Sequence, residues 1–273
     1  MLGELYDFLA RPSETREGYQ YLPFHGALGP MIIGNVFFVF FAFRLGPWLM
    51  RNREPFNLKR VIMAYNIVQI FFNGLMIGLS AYLITTYVKE SNGLGCIEQL
   101  GYDHPTKNFE IFCGLLYLFN KYLDYLETLF FIMRKSYKQV TILHVYHHIM
   151  MTTFVFLYIR IQGSGGHSST IAMLNTVVHT VMYVYYLLSS IDPKWKKSLW
   201  WKKYITQMQI VQFFIDFIHQ LWPLAIARNC DIEKSWSYIA LTQATVMIYM
   251  FGKFYINSYI RSPKPKKVAE KKM

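Results

Sequence analysis

The chain has 273 residues, 53% of them hydrophobic and 18% aromatic, with a mean hydropathy of +0.20 and a formal net charge of +12. Long apolar runs recur from end to end, which leaves no room for a separate soluble domain and excludes a disordered chain. Three cysteines without a C-x-x-C pair argue against structural zinc.

In chain order, residues 1–26 form a polar N-terminal segment. Seven apolar spans follow, at 27–46, 61–88, 109–132, 140–161, 169–189, 204–223 and 236–258, each close to the roughly 20 residues a bilayer helix needs. The predicted fold is therefore all-α and polytopic in a membrane. Its domain limits are 27–260, with a basic tail at 261–273 that is read as disordered. The first run has no basic leader and no small-residue cleavage site, and reads as a retained span.

Four spans carry polar residues at helical spacing. Span three holds Lys121, Asp124, Glu127 and Thr128 in K-Y-L-D-Y-L-E-T. Span four holds His144, His147 and His148 in H-V-Y-H-H, and the i, i+3, i+4 spacing puts all three imidazoles on one helical face. In span five, Asn175, His179, Tyr183 and Tyr186 make one stripe. Gln209, Gln212, Asp216 and His219 make another in span six. One buried histidine is ordinarily a satisfied core residue. Three on one face of a membrane helix, where each polar group is costly, imply a protein-lined functional cavity. At 1.5 Å per residue, the His box lies roughly 6–13 Å from the basic end of its span, Asp124, Glu127, Gln209 and Gln212 roughly 9–14 Å, and His179 about 15 Å. Antiparallel spans have thus placed their polar groups at one level, with Asp216 and His219 deeper.

Charge placement orients the chain. Most Lys and Arg fall in the connections after spans one, three and five and in the tail, which the positive-inside rule assigns to the cytosol. The net charge is thus a topological signal, and nucleic acid is not an expected partner. Cys96 and Cys230 fall in connections on the opposite side, so an oxidising compartment there would pair them as a disulfide. Cys113, inside span three, reads as a packing residue.

With these boxes in place, H-V-Y-H-H, K-Y-L-D-Y-L-E-T, H-T-V-M-Y-V-Y-Y and T-Q-M-Q-I-V-Q together resemble the signature boxes of the ELO-type very-long-chain fatty acid elongases, animal branch. L-G-P-W-L-M-R-N-R-E-P-F-N-L-K-R (Leu45 to Arg60) resembles that family's link between its first two spans. A lone H-x-x-H-H is weak, since membrane oxygenases use similar boxes, but four boxes in order are specific. One departure is visible. The family reads K-x-x-E-x-x-D-T, and here Asp124 and Glu127 exchange the two acids, altering each carboxylate's reach by one methylene.

The resemblance implies seven helices in the endoplasmic reticulum membrane, with helices two to seven around an acyl tunnel and helix one outside. It also implies condensation of a long-chain acyl-CoA with malonyl-CoA to give 3-ketoacyl-CoA, CoA and CO2, with no cofactor and no metal. Expected partners are acyl-CoA, malonyl-CoA, the lipid bilayer, the other enzymes of the elongation cycle and a second copy of the chain.

His147 is the expected nucleophile or principal base, through an acyl-imidazole, because no buried Cys or Ser shares a face with a base. His144, His148 and His179 are then orienters or donors, and Asn175 an oxyanion donor. Lys121, Asp124 and Glu127 form either a network serving the His box or a purely structural one. Gln209 and Gln212 either position the thioester or pantetheine arm or make packing hydrogen bonds. Arg134, Lys135, Lys202 and Lys203 lie at the cytosolic mouth, where CoA phosphates arrive, though any single one reads first as a flank anchor. Chain-length preference is expected to lie in residues toward the far end of the tunnel.

Two other classes fit parts of the pattern. A di-iron desaturase needs several histidine boxes, whereas His25, His104 and His167 fall outside the spans, singly and on the opposite side. A seven-span receptor or transporter does not explain a reactive cluster buried at one level.

Overall fold

The structure, a computed structural model, describes residues 2–90, 93–192, 194–195, 199–227 and 229–261. The predicted tail beyond Arg261, with Lys196, Lys197 and Arg228 of the charge pattern, lies outside the described residues. All regular structure among the described residues is helical. Two short helices, α1 (Leu2–Ala10) and α2 (Arg16–Tyr21), precede eight further ones. These are α3 (Leu28–Met50), α4 (Lys59–Glu90), α5 (Lys107–Leu123), α6 (Tyr125–Met133), α7 (Ile142–Ile161), α8 (Ser169–Ile191), α9 (Leu199–Ala225) and α10 (Lys234–Ile260).

Five of them, α3, α4, α7, α8 and α10, are long and apolar enough to cross a membrane. The predicted third span falls short because it is broken. Its helix pauses at Asp124, so what reads as one run over 109–132 folds as α5 and α6. Helix α9 is long, but Gln209, Gln212, Asp216 and His219, with Gln207 and Gln220, lower its apolarity. In both cases the polar residues of the candidate site are the reason.

Helices α4, α8, α9, α10, α7 and α5 pack in that order, and α5 returns to α4, closing a ring of six. Helix α3 stays outside, against α6 and α7. Phe38 stacks on Tyr125 with centroids 4.0 Å apart, and Asn35 donates to Thr153 while accepting from Tyr125. A π-turn over Phe41–Leu45 widens α3 just before Pro47, whose ring clashes with a regular turn; there the Gly46 N–H reaches back to the Phe41 carbonyl. Local sequence also sets the start of α7. The Thr141 hydroxyl caps it by accepting from the His144 N–H at 3.1 Å, so the His box occupies its first two turns.

One end of the ring is closed by loops. Cys96 and Cys230 form a disulfide with their Cα atoms 5.6 Å apart, within the normal range. At this disulfide end the N-terminal segment is stitched to the C-terminus of α7. Ser13 donates to the Arg160 carbonyl at 2.6 Å, Thr15 to that of Ile159 at 3.0 Å, and Arg160 Nε to the Gly26 carbonyl at 2.7 Å. These bonds satisfy carbonyls that every helix end leaves free.

Lys107 is buried between Glu17 (3.2 Å) and Glu110 (2.8 Å). One sequence expectation is corrected here: His167 is not isolated. It stacks on His219, with centroids 4.0 Å apart, and Nε2 bonds the His219 carbonyl at 3.1 Å. His219 in turn holds the Leu94 carbonyl at 2.9 Å, so this member of the span-six stripe ties loops together.

Candidate active site

Three helices bring the boxes to one level. From α7, His144 and His148 sit with rings 4.4 Å apart, and His147 lies 5.7 Å from His148. From α8, His179 approaches His147 to 6.1 Å between centroids. From α6, Thr128 bonds His144 Nε2 at 2.8 Å, and Glu127 Oε2 stands 3.8 Å from His148 Nε2. The break at Asp124 lets α5 and α6 each aim their charges into the ring.

Asp124 is the hub. Its Oδ1 accepts from Tyr183 at 2.8 Å and from Gln69 at 3.0 Å. Its Oδ2 accepts from Lys121 at 2.9 Å, with His179 Nδ1 at 3.9 Å. Lys121 donates a second bond to Asn175 Oδ1 at 2.9 Å, and Tyr117 donates to the same oxygen at 3.0 Å. That oxygen is therefore saturated, leaving the Asn175 NH2 as the group still able to donate. Lys121, Asp124 and Asn175 are all buried to within 2% of their surface. Charges at that depth persist only when paired and hydrogen-bonded, as these are.

Three buried atoms close to this network lack such partners. His147 Nδ1, His179 Nδ1 and Glu127 Oε1 are shielded from solvent and have no hydrogen-bond partner in the protein. Buried polar atoms are nearly always paired, so unpartnered groups on two imidazoles and a carboxylate make this part of the ring interior the candidate for chemistry. Glu127, His144 and His148 also bring one donor atom each within 4.8 Å of one another, a spacing that could hold a metal ion.

The remaining predicted residues are placed less centrally. Tyr186 joins through ring contact with Tyr183 at 6.0 Å. Gln212 turns its amide to Asp216 at 3.3 Å, away from the His box, and Gln209 is half-buried. At the basic end, Lys135 bonds the Arg51 carbonyl at 3.3 Å and Arg134 Nε is buried without a partner; Lys202 is half-buried and Lys203 exposed. Cys113 is buried and free.

Sequence reading missed the support under Asp124. Gln69 and Asn73 of α4 and Asn120 of α5 form a chain, with Asn120 donating to Asn73 at 3.1 Å and Asn73 to Gln69 Oε1 at 3.1 Å; Tyr65 accepts from Gln69 at 3.0 Å. The signal was present. Asn66, Gln69 and Asn73 recur at i, i+3 and i+7 in an otherwise apolar span, and the cost of polar groups in a membrane applies to amides as to histidines.

Residues 23–267 match the GNS1/SUR4 family, ELO. The chain is 40% identical over 227 residues to very long chain fatty acid elongase F of Drosophila melanogaster, covering 83% of this chain and 87% of that one. It is 32% identical over 238 residues to very long chain fatty acid elongase 7 of Rattus norvegicus, covering 85% and 82%. To human very long chain fatty acid elongase 4 it is 34% identical over 224 residues, 81% of this chain and 69% of the relative.

Proposed function

We propose that this chain, which belongs to the GNS1/SUR4 (ELO) family and carries helices long and apolar enough to cross a membrane, is the condensing enzyme of fatty acid elongation, a 3-ketoacyl-CoA synthase acting on long-chain acyl-CoA and malonyl-CoA. The observation that carries this reading is the pair of unpartnered, buried imidazole nitrogens on His147 and His179, whose rings lie 6.1 Å apart.

In the first half-reaction, a His147 nitrogen attacks the thioester carbonyl of acyl-CoA. The N–C bond forms, the C–S bond breaks, and CoA leaves as thiol with the proton the imidazole gives up. In the second, malonyl-CoA loses its free carboxylate as CO2. The resulting enolate attacks the acyl carbon, and the N–C bond breaks as the imidazole takes a proton back from solvent. Oxyanions develop in both halves, and the Asn175 NH2 and the neighbouring His179 and His148 supply donors for them. Lys121 bonds Asn175 and Asp124 bonds Tyr183, which supports reading their network as part of the site. The exchange of acids relative to the family pattern leaves the shorter Asp124 as hub and gives Glu127 the longer reach toward His148.

Substrate enters from the basic end, where Arg134, Lys135, Lys202 and Lys203 meet CoA phosphates. That end faces the cytosol and the disulfide end the lumen of the endoplasmic reticulum. The test is a purified protein given labelled malonyl-CoA and long-chain acyl-CoAs. Labelled 3-ketoacyl-CoA with equimolar CO2 supports the proposal, and no malonyl-dependent product refutes it.

A further inference from the structure

The span-six stripe holds one acidic group that the condensation leaves unused. Asp216 is 4% exposed and shares the inward face of α9 with Gln212, while Phe214, Ile215 and Ile218 of the same helix are exposed on its outer side. Its Oδ2 accepts from Gln212 at 3.3 Å, and its Oδ1 is buried with no partner. No Lys, Arg or His among the described residues pairs with it. Asp124, also buried, shows what such a group ordinarily needs: three hydrogen bonds, one of them from Lys121. A buried carboxyl group held by a single long bond is the exception, and it leaves one oxygen available to a ligand.

Contacts between α8 and α9 fix its depth. His219, one turn further along α9, meets the Thr170 hydroxyl of α8 at 3.1 Å. From His179 to Thr170 the helix descends about 13.5 Å, and from His219 back to Asp216 it climbs about 4.5 Å. Asp216 therefore stands about 9 Å beyond the His147–His179 pair, toward the disulfide end. Across the ring, Tyr117 of α5 is close enough to interact electrostatically with Asp216, and the Tyr117 hydroxyl donates to Asn175 of the reactive site. The carboxyl group thus faces the interior just past the last donors of the site. Tyr117 also borders a mostly apolar cavity of about 70 Å³, with Met76, Met151 and Ala172 among its walls. The surroundings suit hydrocarbon, which makes an acid at this level conspicuous.

We propose that Asp216 is a subsite for a hydroxyl group carried part-way along the acyl chain, so that the substrates this protein prefers are mid-chain hydroxylated acyl-CoAs; the inference rests on the condensing-enzyme reading above. A plain hydrocarbon passing the carboxyl group takes water from it and returns no hydrogen bond, a penalty of roughly 5- to 150-fold in binding. A hydroxyl is the smallest donor that a hydrocarbon chain can carry. It bonds the free Oδ1, while Gln212 keeps Oδ2 occupied. With the thioester carbonyl at His147, a zigzag of carbon–carbon bonds of about 1.52 Å advances about 1.25 Å per carbon and covers about 9 Å in about seven carbons. The hydroxyl that meets Asp216 is therefore on a carbon about 8 to 10 from the thioester end.

The experiment measures kcat/KM of the purified full chain with labelled malonyl-CoA and saturated acyl-CoAs of ~18 carbons, carrying either no hydroxyl or one at about carbon 3, 9 or 17. The unaltered protein should favour the hydroxyl near carbon ~9 at least ~10-fold over the unsubstituted chain, and hydroxyls at the other two positions should bring no gain. Asp216→Leu, which replaces the carboxyl group by a hydrocarbon, should reverse that order and elongate the unsubstituted chain faster than the unaltered protein does. Asp216→Asn keeps an acceptor oxygen and should keep the preference to within about fivefold. A hydroxyl-to-unsubstituted ratio left unmoved by Asp216→Leu overturns the subsite and leaves the carboxyl group to water. So does a flat positional profile, or one that peaks elsewhere, in the unaltered protein, which decides the matter even if the variants fail to fold. Failure of the unaltered protein to elongate any of these chains overturns the condensing-enzyme reading instead.

Discussion

Replacing Gln69 by Leu tests whether the buried amide chain of α4 serves the site or merely packs. The side chains are similar in size, so no cavity opens, and the change removes one of three donors to Asp124: Gln69 at 3.0 Å, alongside Tyr183 at 2.8 Å and Lys121 at 2.9 Å. Asn73 keeps its bond to the Gln69 carbonyl at 2.8 Å, and Tyr65 keeps the Leu123 carbonyl at 3.4 Å, so few other groups are stranded. A hydrogen bond to a charged group contributes about 1.5–3 kcal/mol. Expressed fully in the transition state, that is a loss of roughly 10- to 150-fold in kcat/KM. Because Gln69 and Tyr183 donate to the same Oδ1, Gln69→Leu and Tyr183→Phe should also be non-additive, with a coupling of at least about 0.5 kcal/mol. The assay is malonyl-dependent condensation by membrane-inserted protein, normalised to the amount that remains monodisperse in detergent. A well-inserted Gln69→Leu protein within about twofold of the unaltered rate, additive with Tyr183→Phe, would refute the hub role of Asp124.

Other expectations are simpler to check. His147→Ala should abolish condensation while the protein stays inserted, and His179→Ala should lower kcat by at least ~100-fold, in the range expected for a lost acid–base group; both are read from product formation against membrane content. The Cys96–Cys230 link closes a separation of 134 residues, so Cys96→Ser with Cys230→Ser should lower the thermal midpoint in detergent, and non-reducing mass spectrometry should find the pair joined in the unaltered protein. Although Glu127, His144 and His148 lie close enough to hold an ion, condensation should survive exhaustive chelation and no stoichiometric transition metal should copurify. Metal-dependent activity would transfer these residues from acid–base work to ligation.

Periodicity made most of the helices legible, because each apolar run had to bury or face lipid along its whole length. The His box was legible for the complementary reason: three imidazoles on one face of a membrane helix have few bland explanations. Depth counting also matched span three to span five, and Asp124 does meet Tyr183 and His179. The break at Asp124 was not legible, since nothing local in K-Y-L-D-Y-L-E-T interrupts a helix. The pause arises where the carboxylate turns to donors from two other helices. Gln69 and Asn73 escaped notice because amides stand out less than charges in a hydropathy reading. The burial of Lys107 was hidden altogether, as both of its partners are set by tertiary contacts and Glu17 lies 90 residues away in sequence. Gln212 shows the limit from the other side: its box is present, yet its amide is used on Asp216.

The central claim is that His147 carries the acyl group between two half-reactions. Incubation of purified protein with acyl-CoA alone tests it most directly, by measuring free CoA and mapping adducts by mass spectrometry. The account predicts close to one CoA released per protein, an acyl group on the peptide containing His147, and loss of both in His147→Ala. No CoA release and no adduct until malonyl-CoA is added would contradict it, and would make the histidines base and oxyanion donors in a direct ternary condensation.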